Sequence, residues 1–296
     1  MKTNMSAIRL TSAITVIAIC LCLSDTALAE RFVAEPAVKS VSQEPSKPAS
    51  EITVHHVNSP FQSGRTRIHI LPPRETTPPT PTRFLYLLPV EKQNGKQWGD
   101  PLNEVLQHDL HNKYGLTCVY ATFSDLPWYA NHPTDPQIQQ ERHLIEFVIP
   151  FVEARLPVKP TPDARLLIGF SKSGYGAWSL LLRHPNVFGK AAAWDSPLMV
   201  SSPNQFGMGS IFGSENNFRG YQIPMLIANS GKQLGTRPRL IHAGHSNFHQ
   251  HHEEANELLE ELRIPTLYQS GPFRKHHWNS GWLPQLLPLL MATDAE

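Results

Sequence analysis

Cysteine is nearly missing from this 296-residue chain: there are three, and Cys20 and Cys22 lie in a segment that reads as an export signal. Cleavage of that signal leaves Cys118 alone, which rules out an internal disulfide and a cysteine-based zinc site. In the apolar run Thr117-Cys118-Val119-Tyr120, that thiol reads as a small buried hydrophobe. A charge excess is also missing, with 26 Lys and Arg against 25 Asp and Glu. The near-neutral balance gives no sign of binding to nucleic acid or to an acidic membrane, and a small polar or neutral ligand fits better. No apolar run reaches the ~20 residues of a membrane-spanning helix. No internal repeat is visible, and no H-E-x-x-H metal motif is present.

What is there begins with export. Lys2 and Arg9 precede the apolar stretch Ile14 to Leu23, and Ala27-Leu28-Ala29 forms an A-x-A cleavage site. Residues 1–29 are therefore expected to be a signal peptide, so the processed chain is exported, periplasmic or secreted, and carries no membrane anchor. Residues 30–50, rich in Pro, Ser, Glu and Lys, read as a tether, and 51–296 as one domain.

Within that domain, the apolar alternation predicts strands over Glu51 to Val57 and Arg65 to Leu71, then at Arg83–Leu88, Thr117–Phe123, Leu166–Phe170, Lys190–Trp194, Arg239–Ala243 and Pro265–Gln269. Helical spacing lies over Pro101–Lys113, Gln137–Val152, Trp178–Arg183, Asn216–Asn229, His249–Leu262 and Trp282–Met291. Strand and helix thus alternate from Arg83 onward. This predicts an α/β fold, a mainly parallel sheet with helices on both faces, extended antiparallel at its N-terminal end. Ligands bind such sheets beyond the carboxyl ends of the strands, where the polar loops after Leu88, Phe170, Trp194, Ala243 and Gln269 converge.

One of those loops is distinctive. Gly169-Phe170-Ser171-Lys172-Ser173 sits between a strand and a helix and follows the G-x-S-x-G nucleophile-elbow pattern, save for Ser173 at the last position. A serine hydroxyl is a weak nucleophile. It needs an exposed turn, an adjacent base and N–H groups to receive an oxyanion. The last strand leads to His276 and His277, and both are candidate bases. The orienting acid is less plain: Asn247 stands after the strand where many enzymes of this architecture carry an acid, and Asp195 ends the strand before it. Asp195 reads either as that acid or as a turn-forming residue. The oxyanion donors would be the backbone N–H of Lys172 and, since Pro89 has none, that of Val90 or else Glu91. Trp128, Tyr129, Trp278 and Trp282 lie near the same strand ends and read either as pocket walls or as core. His245, His249, His251 and His252 with Glu253 and Glu254 lack a metal-site pattern and read as a solvated helix face, so neither metal nor cofactor is implied.

The run Gly169-Phe170-Ser171-Lys172-Ser173-Gly174-Tyr175-Gly176-Ala177, followed by Leu181-Leu182-Arg183-His184-Pro185-Asn186-Val187-Phe188, resembles the esterase D-like branch of the α/β-hydrolase superfamily. His276-His277-Trp278 is similar to that branch's H-x-W signature and favours His276 as base. The resemblance implies a three-layer α/β-hydrolase fold and a serine esterase acting on carbohydrate or small acyl esters, with Ser171, His276 and Asp195 as its triad. Pro89-Val90 replace a common His-Gly pair, and Asn247 replaces the usual acid. The departures leave open a non-catalytic binding protein on the same scaffold, or an acyltransferase using the same triad.

Overall fold

The computed structural model describes residues 51–74, 83–155 and 160–292; the expected signal peptide and tether lie outside them. Its centre is β5 (Arg165–Phe170), whose side chains alternate between two buried faces: Leu167 enters one core, and Leu166, Ile168 and Phe170 the other. Apolar surface on both faces forces a strand into the middle of a covered sheet. β5 accordingly lies between β3 (Arg83–Leu87) and β6 (Lys190–Trp194), parallel to both, with Leu85 opposite Leu166 and Gly169 opposite Ala193.

Among the described residues, the remaining strands are β1 (Thr53–Asn58), β2 (Arg65–Leu71), β4 (Leu116–Ala121), β7 (Leu240–Ala243) and β8 (Thr266–Gln269). All eight form one sheet in the order β1-β2-β4-β3-β5-β6-β7-β8. β1 and β2 run antiparallel, as does β2 beside β4, and every other pairing is parallel. The expected α/β architecture and its antiparallel extension are both borne out.

Helices cover the two faces. Lys172–Arg183 buries Tyr175, Trp178 and Leu181 on one side, joined there by Ala255 and Leu259 of His249–Glu261. Leu283–Met291 buries Leu283, Leu286 and Leu287 on the other, with Leu102 and Val105 of Pro101–Gln107. Leu144, Phe147, Val148 and Phe151 are buried as their helical spacing predicts. Cys118 is buried in the second core, and burial pushes its thiol pKa far up, which leaves it unreactive.

Three helices differ from their sequence patterns. Asp100 caps Pro101–Gln107 by accepting from the N–H groups of Leu102 and Asn103, but the run stops there. Asp109 adopts φ 49°, and a separate turn, Leu110–Lys113, follows. The helix expected over Gln137–Val152 starts at Gln140 and passes through a π-helical stretch, His143–Val148, before Ile149–Glu153. That wider turn leads into Pro150, whose ring would clash with a carbonyl of a continuous α-helix. The one expected over Asn216–Asn229 splits into Glu215–Arg219 and Ile223–Ser230, because Pro224 is tolerated only in a first turn.

Candidate active site

β5 ends at Phe170 and the next helix starts at Lys172, so one residue makes the turn. Ser171 has φ 52° and ψ −131°, close to a region that only glycine enters readily, at a cost of about 1–3 kcal/mol. Surrounding hydrogen bonds hold it there. Its N–H donates to the carbonyls of Trp194 (3.1 Å) and Asp195 (3.2 Å), and its carbonyl accepts from the Ser196 hydroxyl (2.7 Å). Ser173, in the place of the pattern's last glycine, turns its buried hydroxyl back onto Phe170. That hydroxyl donates to the Phe170 carbonyl (2.9 Å) and accepts from its N–H (3.1 Å), so the substitution ties the elbow closed. Gly169 is required: a Cβ there would lie 2.5 Å from the Ser173 backbone.

Asp195 follows β6 with φ 38° and is fully buried. Its Oδ2 accepts from His276 Nδ1 at 2.6 Å and from the Asn247 N–H at 3.1 Å, and its Oδ1 accepts from the Phe248 N–H at 2.7 Å. Burial works to raise the pKa of this carboxyl, but the His276 bond and the two backbone donors outweigh it and hold it below its ordinary value. An ionised carboxylate can only accept, so His276 carries its hydrogen on Nδ1 and leaves Nε2 as the basic atom. Edge contacts from Trp98 and Phe170, at centroid distances of 5.4 and 4.9 Å, fix the ring. The loop itself is docked: the Trp278 N–H donates to the Trp98 carbonyl (2.8 Å), and Asn279 Nδ2 donates to Glu104 (3.0 Å).

Two sequence alternatives fall elsewhere. Asn247 contributes its backbone N–H to Asp195, so its amide does not take the acid's place beside the imidazole. His277 points into its own loop, where Nδ1 accepts from the Asn279 N–H at 3.1 Å. Ser171 and His276 line a common pocket of about 220 Å³ with Trp98, Phe170, Lys172, Phe206, Asn247 and Phe248. Beside it lies a larger cleft of about 780 Å³, whose walls include Val90, Glu91, Trp98 and Lys172. Trp98 and Lys172 border both.

The loop carrying Val90 is held from below by Tyr129, whose hydroxyl donates to the Pro89 carbonyl at 2.6 Å. Tyr129 itself has φ 59°; its N–H, like that of Trp128, donates to Gln140 Oε1, at 2.8 and 2.9 Å respectively. A Cβ on Gly176 would overlap the Tyr129 ring, which explains the second glycine after the elbow. Neither the Val90 N–H nor the Lys172 N–H has a protein acceptor among the described residues. Burial pushes the Lys172 ammonium pKa down, with Glu91 opposing.

Of the two readings of the strand-end aromatics, wall or core, the second is the one observed. Trp128, Tyr129, Trp278 and Trp282 are all in the core. The aromatic wall comes from Trp98, Phe206 and Phe248, which sit in irregular loops where no periodicity marks them. The histidine-rich segment is likewise not a uniform solvated face. His252 is fully buried and accepts from the Ser196 N–H (2.8 Å), and His251 accepts from the Met199 N–H (3.0 Å). His249 bonds the Gly244 carbonyl and Glu253. Among the described residues, no three His, Cys, Asp or Glu side chains are grouped to hold a metal ion.

The fold recurs in solved structures. FphF, a fluorophosphonate-binding serine hydrolase of Staphylococcus aureus solved with substrate bound, superposes with a TM-score of 0.65 at 16% identity, covering 82% of this chain and 98% of its own. The S-formylglutathione hydrolase FrmB of the same organism gives 0.62 at 16%, covering 81% and 96%, and a ferulic acid esterase gives 0.63 at 13%, covering 81% and 97%. A search of curated proteins finds no match. The family model described as Putative esterase matches residues 122–292, more than half of the sequence, a span that includes Ser171, Asp195 and His276. This chain belongs to the Putative esterase family and is an esterase with the α/β-hydrolase fold.

Proposed function

We propose that the protein is an exported serine esterase that cleaves a carboxylic ester, of a carbohydrate or a small acyl group, through an acyl-enzyme on Ser171. The observation that carries this reading is the 2.6 Å bond between His276 and buried Asp195, in the pocket that also holds the Ser171 elbow. In the first step Ser171 Oγ attacks the ester carbonyl and its proton passes to His276 Nε2. The oxyanion is received by the N–H groups of Lys172 and Val90, a contribution of about 3–4 kcal/mol per donor in comparable sites. The C–O bond to the alcohol then breaks and His276 returns the proton to the leaving oxygen. In the second step His276 Nε2 takes a proton from water as the water oxygen attacks the acyl carbon, the acyl C–O bond to Ser171 breaks, and His276 returns the proton to Ser171 Oγ. Asp195 stabilises the imidazolium and keeps the ring's tautomer throughout.

The 220 Å³ pocket and its aromatic wall suit a compact acyl group, and the adjoining cleft leaves room for a larger alcohol. The names of the related structures, a formylglutathione hydrolase and a ferulic acid esterase, fit that span. Export rests on Lys2, Arg9 and the Ala27-Leu28-Ala29 site.

The test is a fluorophosphonate probe on the purified protein, with a p-nitrophenyl ester panel. Wild type should be labelled and should hydrolyse short acyl esters, and Ser171→Ala should do neither. Hydrolysis that survives Ser171→Ala overturns the nucleophile. Product appearing only with an acceptor alcohol would identify an acyltransferase. N-terminal sequencing of protein recovered from outside the cytoplasm should begin at Glu30.

A further inference from the structure

Behind the acid lies a buried pair of histidines that the mechanism does not use. His252, on His249–Glu261, and His242, on β7, are both fully buried, and their rings stack 5.3 Å apart. His252 Nε2 faces the Ser196 N–H at 2.8 Å, and the two Nδ1 atoms are 3.1 Å apart. These contacts determine every proton. Ser196 donates, so His252 Nε2 must be bare and its hydrogen lies on Nδ1. That hydrogen goes to His242 Nδ1, so His242 carries its own on Nε2, which is buried with no protein partner among the described residues. Tyr268, stacked at 4.5 Å, and Trp178, edge-on at 4.9 Å, hold His242 in place.

Ser196 is the junction between the two halves of the site. It follows Asp195 directly, and its hydroxyl donates to the carbonyl of Ser171. The Asp195 carbonyl in turn accepts from the Ser171 N–H. The helix bearing His252 begins next to Asn247 and Phe248, the two backbone donors to the Asp195 carboxylate. A residue that fixes the Ser196 N–H therefore fixes both the strained turn at Asp195 and the strained turn at Ser171.

We propose that His252, oriented by His242, is a positioning residue of the esterase site: its neutral Nε2 holds the Ser196 N–H and thereby sets Asp195 against His276 and Ser171 in its elbow. The inference rests on the esterase reading. A protonated His252 would set N–H against N–H, and burial opposes that state, holding the pKa of His252 well below its ordinary value and that of His242 at about 3. Asparagine or leucine at 252 would leave the Ser196 donor unmet, but glutamine extends an amide oxygen about as far as Nε2.

The experiment compares His252→Leu with His252→Gln on a p-nitrophenyl ester that wild type hydrolyses. His252→Leu should lower kcat by roughly 10²-fold with KM little changed, the scale expected of an ångström-level misplacement, and His252→Gln should recover activity to within about threefold of wild type. A folded His252→Leu with wild-type kcat overturns the proposal, as does a folded His252→Gln no better than His252→Leu. The native protein gives a reading that needs no variant: ¹⁵N chemical shifts should show His252 neutral with its proton on Nδ1, and a proton on Nε2 at neutral pH overturns the assignment even if the variants fail to fold. Inactivity of wild type toward every ester would instead overturn the esterase chemistry, which separates the two failures.

Discussion

His276 Nδ1 lies 2.6 Å from Asp195 Oδ2 across 81 positions of sequence, and Asn247, the residue that stands where an acid was to be expected, supports that carboxylate through its backbone N–H alone. The side chain of Asn247 is therefore dispensable to the pair, and the carboxylate is not. Asp195→Asn should lower kcat by about 10⁴-fold, as in a serine protease triad with the same change, with Asn247→Ala staying within about threefold of wild type. Steady-state rates on p-nitrophenyl acetate and fluorophosphonate labelling rates check both. Equal losses in the two variants would return the acid to Asn247.

The backbone strain at Ser171 is a stability cost carried at the proposed nucleophile. Ser171→Gly should abolish labelling and raise the stability of the protein by about 1 kcal/mol, because glycine relieves a φ of 52° at a smaller cost in chain entropy. Thermal melts of the two proteins decide it. A lower Tm for Ser171→Gly would mean that the serine side chain, not its backbone, dominates the local energetics.

Tyr129 links the loop carrying Val90 to the helix after Ser171. Tyr129→Phe removes the 2.6 Å bond to the Pro89 carbonyl and should destabilise the protein by about 1–2 kcal/mol, with a fall in kcat as the Val90 N–H loses its register. Gly176→Ala pushes on the same ring and should act in the same direction, at a cost of about 1–3 kcal/mol. Urea titrations and ester kinetics together test this. Stability losses without any change in kcat would show that the loop does not depend on the tyrosine.

Acid should unfold the protein in two stages. Burial holds the pKa of His143 at about 4 and that of His242 at about 3, below the ~6.5 of an exposed imidazole. Between those values the unfolded chain binds more protons than the native one, so stability rises with pH. The contribution is complete above pH ~6.5 and is lost as pH falls through that value toward 4 and 3, by up to about 1.4 kcal/mol per pH unit for each group. Asp195 and Glu141, with pKa values held below the ordinary carboxyl range, add a second loss as pH drops below ~4. Tm measured from pH 8 to 3 should fall in this pattern, and His143→Phe, which keeps a ring between Phe123 and Phe147, should flatten the upper stage. A Tm independent of pH down to 4.5 would show that these histidines are solvated.

The alternation of strand and helix, the antiparallel extension, the buried face at Leu144, Phe147, Val148 and Phe151, and the turn at Ser171 are legible in the sequence. All are local: a period of two or of 3.6, or a small-residue pattern between a strand and a helix, is written in neighbouring residues. That Asp195 meets His276 is not legible there, because the bond depends on β6 lying beside β5 and on the loop after β8 returning over Trp98. The same long-range contacts make Trp128, Tyr129, Trp278 and Trp282 core, bring Trp98, Phe206 and Phe248 together as the wall, and bury His252 under Ser196. The physical reason is one of range. Periodicity reports which face of an element is apolar, but which side chains meet across loops is set by strand order and by hydrogen bonds among residues far apart in the chain.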